Sequence, residues 1–350
     1  MNDDDIFDAA AKSRGGLFRF PASEQFPMFA KQRSDALILH YSSASNLVRP
    51  VPKIICNFVD NSSINAFAKK HEGCYVIGIH RGLVTQVMDT ISSMTGDPNV
   101  FPNLKDNALR DWNAKHLAMF ALDFIFEHEF QHVICGHVDY FLDRFSSPEF
   151  SEFDLLSAFR SFTVDQTKLA YHDLQVLEMD ADANALGRVC MMAKRTFDSG
   201  QSQAPPEIAA FWTDLLTVWG DIFFSLSVVF RILGDVRIRD TTTHSAAHPS
   251  PTIRQYMLAH TFANLNEQND VGLAPSKLWD SIRKRFEEVD RSFEIITGKK
   301  TNPDSFNPKY TSQHPAITTL RETWNQRMRD ELEPFSYVEL PVWAPETFEV

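Results

Sequence analysis

The stretch Phe124-Ile125-Phe126-Glu127-His128-Glu129-Phe130-Gln131-His132 constrains this chain most, because it sets a His-Glu-x-x-His pattern inside an apolar run. The run extends over 115–135 and is apolar nearly all round, so a helix built from it belongs at the centre of a fold. On that helix His128 and His132 lie one turn apart and point the same way. Two imidazoles at this spacing can take two corners of a tetrahedral zinc site. Glu129 lies about 100° round from His128. That places its carboxylate beside a metal rather than on it, where it can take a proton from a bound water. The plainer alternative is a buried helix with two hydrogen-bonded histidines.

A zinc site with two histidines needs a third protein ligand and an open position. The stretch Leu177-Glu178-Met179-Asp180-Ala181-Asp182-Ala183-Asn184-Ala185-Leu186 is a strong helix former by its alanines. Glu178 and Asp182, at i and i+4, share a face. Glu178 can be the third ligand, and Asp182 can accept the other ring N–H of a zinc-bound histidine. Two solvated carboxylates are the competing reading, but neighbours such as Leu177, Met179 and Leu186 imply a close-packed helix. His137 misses the metzincin register, which would need Gly at 135 and His at 138, where this chain has Cys135 and Val138. On a continued helix it would lie about 140° from His132, so a structural role is assigned to it.

The remaining signals are weaker. Residues 53–59 and 74–80 are short β-rich runs around turns at Asp60–Ser63 and Gly73. They predict a small antiparallel sheet, whose edge near Asn65 and Ala66 could align an extended peptide by strand addition. Ser250 and Pro251 suit a helix start. His248 before it and Arg254 within it can donate to a developing oxyanion if they reach the cleft. The expected fold class is α+β, mainly helical and zincin-like, with the small antiparallel sheet beside the active-site helix. The expected organisation is an N-terminal arm over 1–50, a catalytic domain over 51–265 and a helical extension with an apolar tail over 266–350.

With 350 residues, 43% of them hydrophobic, and 29 Phe, a substantial core is available. A net charge of −12 without a basic stripe argues against a nucleic-acid partner. The acidic start Met1-Asn2-Asp3-Asp4-Asp5 does not read as a secretory signal. Cys56, Cys74, Cys135 and Cys190 are scattered without a C-x-x-C pair. A cytoplasmic protein is expected. Residues 211–233 are long enough to span a bilayer. However, Asp214 and Asp221 would each cost about 3 kcal/mol at its centre, so a buried core helix is expected and membrane contact is not.

Taken in order, these pieces resemble the M48 family of gluzincin metallopeptidases, the HtpX and CAAX prenyl protease type. The resemblance rests on Asn65-Ala66-Phe67-Ala68 and the strand after it, on His128-Glu129-x-x-His132 with Gly136-His137, on Glu178-x-x-Ala181-Asp182, and on His248-Pro249 with Arg254. It covers about residues 53–258 and implies one zinc per chain held by His128, His132 and Glu178, with Glu129 as catalytic base. It further implies that Asp182 orients a histidine ligand, that His248 and Arg254 stabilise the tetrahedral intermediate, and that Asn65 and Ala66 bind substrate. The implied activity is hydrolysis of a protein or peptide substrate. The alternatives are a catalytically silent zinc-binding regulator of the same fold and a host-protein-cleaving peptidase like the phage-exclusion peptidase Lit. Gln131 departs from the small residue usual in the family.

Overall fold

The computed structural model describes residues 2–42, 46–102, 104, 106–145, 149–151, 164–200, 214–233, 249, 251–268, 275–298 and 315–343. Helix α1 (Asp3–Ala11) and strand β1 (Leu17–Phe18) open the chain, followed by α2 (Gln25–Ser42). Strands β2 (Ile54–Val59), β3 (Ala66–His71) and β4 (Cys74–His80) come next, then α3 (Arg81–Gly96), the long α4 (Asn107–Ile134) and α5 (His137–Phe145). The short β5 (Glu149–Ser151) precedes α6 (Val164–Gly200), α7 (Leu215–Leu233), α8 (Pro251–Gln268) and α9 (Pro275–Thr297). Helix α10 (Pro315–Thr323) runs through a π-helical turn, Trp324–Met328, into α11 (Arg329–Leu332). The fold is α+β and mainly helical, as the patterning predicts.

The sheet has five strands in the order β1-β2-β4-β3-β5. Three of its pairings are antiparallel, but β2 and β4 run parallel, with Ile54 opposite Tyr75 and Val59 opposite His80. The sheet is therefore mixed, not antiparallel. Only the β3–β4 turn at Glu72-Gly73, where both residues have positive φ, is a tight local hairpin. The return from β2 passes over β4's position, so pairing order was not set by adjacency in sequence.

The period-2 alternation of the strands sorts two layers. Ile54, Cys56, Phe58, Ala66, Ala68, Tyr75, Ile77 and Ile79 join the main core with α2, α3 and α4. On the other face, Ile55, Val59, Phe67, Cys74 and Val76 pack with Phe7, Ala10 and Ala11 of α1. Helix α4 begins at the cap Asp106, whose Oδ1 accepts from the Ala108 N–H at 2.6 Å. Every residue from Phe120 to Ile134 is buried, so the helix is central, as its apolar girth requires.

A second core lies beyond α4. Phe120 and Phe124 pack there with Leu186 and Val189 of α6, Ile222 and Phe223 of α7, Phe262 of α8 and Phe286 of α9. Helix α7 is long and apolar enough to cross a membrane, but 67% of its most apolar window is buried within the protein. Its Asp221 has His116 Nε2 at 3.5 Å and Arg285 at 3.8 Å. The polar edge that argued for a core helix is thus met by protein groups. The C-terminal tail docks on the body. The indole of Trp324 donates to the Pro341 carbonyl at 2.9 Å and stacks on Trp343, and the Tyr337 N–H donates to the Ile134 carbonyl at the end of α4.

Candidate metal centre

Helices α4 and α6 meet at one buried point, where three residues of two ligand types converge. His128 Nε2 and His132 Nε2 are 3.0 Å apart. Glu178 of α6 reaches both, Oε2 at 3.3 Å from His128 Nε2 and Oε1 at 3.4 Å from His132 Nε2. A tetrahedral zinc site with bonds of about 2.0–2.1 Å has ligand–ligand edges of about 3.4 Å. The two imidazole–carboxylate separations, each to a different Glu178 oxygen, match that figure and the imidazole pair is closer, so the residues could hold a small cation. Relative exposures of 4% for His128, 1% for His132 and 0% for Glu178 keep the point dry. Dry donors hold an ion more strongly than wet ones, because the effective dielectric is low.

The charge balance points the same way. Burial disfavours an imidazolium at His128, yet the Glu178 and Asp182 carboxylates outweigh it and hold the His128 pKa well above the ordinary histidine value. The same carboxylates that favour a proton there would favour a divalent cation in its place. Asp182 is itself buried, which raises its pKa, but Arg254 and His128 reverse that and hold it below the usual carboxylate range.

Each histidine is braced from behind. His128 Nδ1 lies 2.9 Å from Asp182 Oδ1. Arg254 of α8 grips the same carboxylate with both arms, Nε to Oδ2 at 2.6 Å and NH2 to Oδ1 at 2.7 Å. Its guanidinium also sits over the Phe230 ring and 4.0 Å from Glu178 Oε2. Behind His132, Nδ1 lies 3.0 Å from Nδ1 of His137, whose Nε2 lies 3.2 Å from Asp180 Oδ2. Cys135, His137 and Asp180 also bring potential ligand atoms within 4.8 Å of one another.

The other expected site residues fall as follows. Glu129 is buried on α4. Arg254 is in the site, but it is bound to Asp182. His248 lies outside the described residues. Asn65 is buried and turns inward, its Oδ1 accepting from the Ala66 N–H at 2.9 Å. Ala66 pairs with Ile79. The open edge expected along β3 is covered from Phe67 to Lys69, because β5 pairs there.

His137 is the residue whose place sequence reasoning missed. The angle of about 140° assumed an unbroken helix. Instead α4 ends at Ile134, and Gly136 takes φ +81, with its N–H donating to the Val133 carbonyl at 3.1 Å. A Cβ on Gly136 would sit 2.5 Å from the Phe335 backbone, so the turn and the docked tail both need glycine. The reversal swings His137 back onto His132. The available signal was Gly136 itself, directly after the helix.

No family model, no curated protein and no solved structure matches the chain.

Proposed function

We propose that the chain is a zinc-dependent endopeptidase of the gluzincin kind, acting on a protein or peptide in the cytoplasm. The observation that carries this reading is the close approach of Glu178 to His128 and His132 on the helix that also bears Glu129. Two imidazoles and a carboxylate are a donor set that suits zinc. Bound zinc would supply a Lewis acid that polarises a carbonyl and brings the pKa of water toward about 7. Glu129 takes a proton from the attacking water and returns it to the leaving amine nitrogen. Asp182 Oδ1, 2.9 Å from His128 Nδ1, would draw the ring proton to that nitrogen and leave Nε2 as the ligating lone pair. Arg254 holds Asp182 in that orientation and, with His248, supplies positive charge for the developing oxyanion. Asn65 and Ala66, which lie just before the residues of β3 that β5 covers, would align substrate.

A second reading is a zinc-holding protein without turnover. The burial of all four of His128, Glu129, His132 and Glu178 favours it. One pair of measurements separates the two. Elemental analysis of wild type and Glu129→Gln should give about one zinc per chain in both. Cellular protein fragments should appear with wild type and fall about 10²–10⁴-fold in rate with Glu129→Gln. Equal fragment patterns from both proteins would remove the peptidase reading and leave the second.

A further inference from the structure

We propose that His137 and Asp180 form a positioning relay for His132, so that the second buried cluster braces the metal centre and is not a second metal site. This rests on the assignment of His128, His132 and Glu178 as the ligand set.

The argument is one of counting protons. A neutral His132 that offers its Nε2 lone pair to a cation must carry its proton on Nδ1. That nitrogen is 3.0 Å from His137 Nδ1, so His137 Nδ1 must be the acceptor. A neutral His137 that accepts at Nδ1 carries its own proton on Nε2. That nitrogen faces Asp180 Oδ2 across 3.2 Å, an ion-pair contact whose alignment falls short of a hydrogen bond. Asn184 fixes the far side of Asp180, its Nδ2 donating to Oδ1 at 3.1 Å and to the Asp180 carbonyl at 2.9 Å. One assignment of protons therefore sets a donor opposite an acceptor at each contact from His132 to Asn184.

The same count excludes a cation at Cys135, His137 and Asp180 while the first centre is filled. Such a cation would need the Nε2 lone pair of His137, and its proton would then have to sit on Nδ1. Two Nδ1–H groups would face each other at 3.0 Å in a site where His132 and His137 are 1% and 0% exposed. The relay has the same form as the His128–Asp182–Arg254 brace, with an imidazole inserted between ligand and carboxylate.

The test uses the full chain, zinc and a chelating competitor of known affinity, with the melting temperature of the zinc-free proteins as a folding control. His137→Leu removes the acceptor for His132 and should weaken zinc binding about 10–100-fold. His137→Asn puts a carbonyl oxygen near the Nδ1 position and should restore most of that loss. Asp180→Asn, a near-isosteric change, should weaken zinc by a smaller factor in the same direction and serves if His137→Leu does not fold. Wild type should bind one zinc. The relay is overturned if zinc affinity is unchanged in the Leu and Asp180→Asn variants, or if Asn gives no rescue over Leu. It is also overturned if wild type binds two zinc ions and Cys135→Ser removes one of them. Wild type that binds no zinc would sink the metal-site assignment itself, a different outcome from any of these.

Discussion

Helix α4 carries two polar rows through the same dry core, and they are closed in different ways. One row is Asp123, Glu127 and Gln131, each a helical turn from the next and all buried. Its partners come from α2. Arg33 grips Asp123 with two N–H groups, and Tyr41 donates to Glu127 while accepting from Gln131 Nε2 at 2.7 Å. The other row is His128 and His132, whose partners behind are Asp182 and His137 but whose Nε2 atoms turn toward each other and Glu178. The first row is complete with protein groups. The second leaves two imidazoles and a carboxylate facing one another, a group that could hold a cation. Gln131 belongs to the first row, and its bond to Tyr41 accounts for a polar residue at this buried position.

The comparison can be broken at several places. The largest effect is expected at Glu178. Saturating zinc at about 1,000 times its dissociation constant should stabilise wild type by about 4 kcal/mol. Glu178→Ala should abolish most of that gain, seen as loss of the zinc-dependent rise in melting temperature. A zinc-dependent rise equal to wild type in this variant would remove the distinction between the rows. Arg33→Ala leaves Asp123 buried without its cation and should cost about 3 kcal/mol in denaturant unfolding, the low end of such losses. The Arg33 side chain is 36% exposed, so water takes up part of its role. The cost should be the same with and without a chelator, because this row needs no ion.

The smallest effect lies outside both rows. Burial, then the nearby Arg321, lower the His260 pKa to about 4. The unfolded chain therefore binds the extra proton between pH 6.5 and 4 while the folded chain does not. Stability should be full above pH 6.5 and fall as the pH drops toward 4. His260→Gln should flatten that part of the stability–pH curve, measured by urea unfolding, in zinc-loaded and zinc-free protein alike. A slope that vanishes only when zinc is present would tie this residue to the metal row instead.

Local periodicity by itself determined a good deal of this protein. The 3.6-residue repeat is built into backbone geometry, so two histidines four apart share a face wherever the helix lies, and an apolar girth forces that helix inward. The alanine-rich run around Glu178 and the core helix at Leu215–Leu233 were readable for the same reason. Packing between distant segments was decided only by the tertiary structure. It set Glu178 within 3.4 Å of the paired imidazoles, drew Arg254 onto Asp182, and let β5 cover an edge that looked open. It also ended α4 early enough for Gly136 to turn His137 back onto His132. Such contacts depend on which surfaces bury one another across long loops, and no repeat within a window of sequence carries that information.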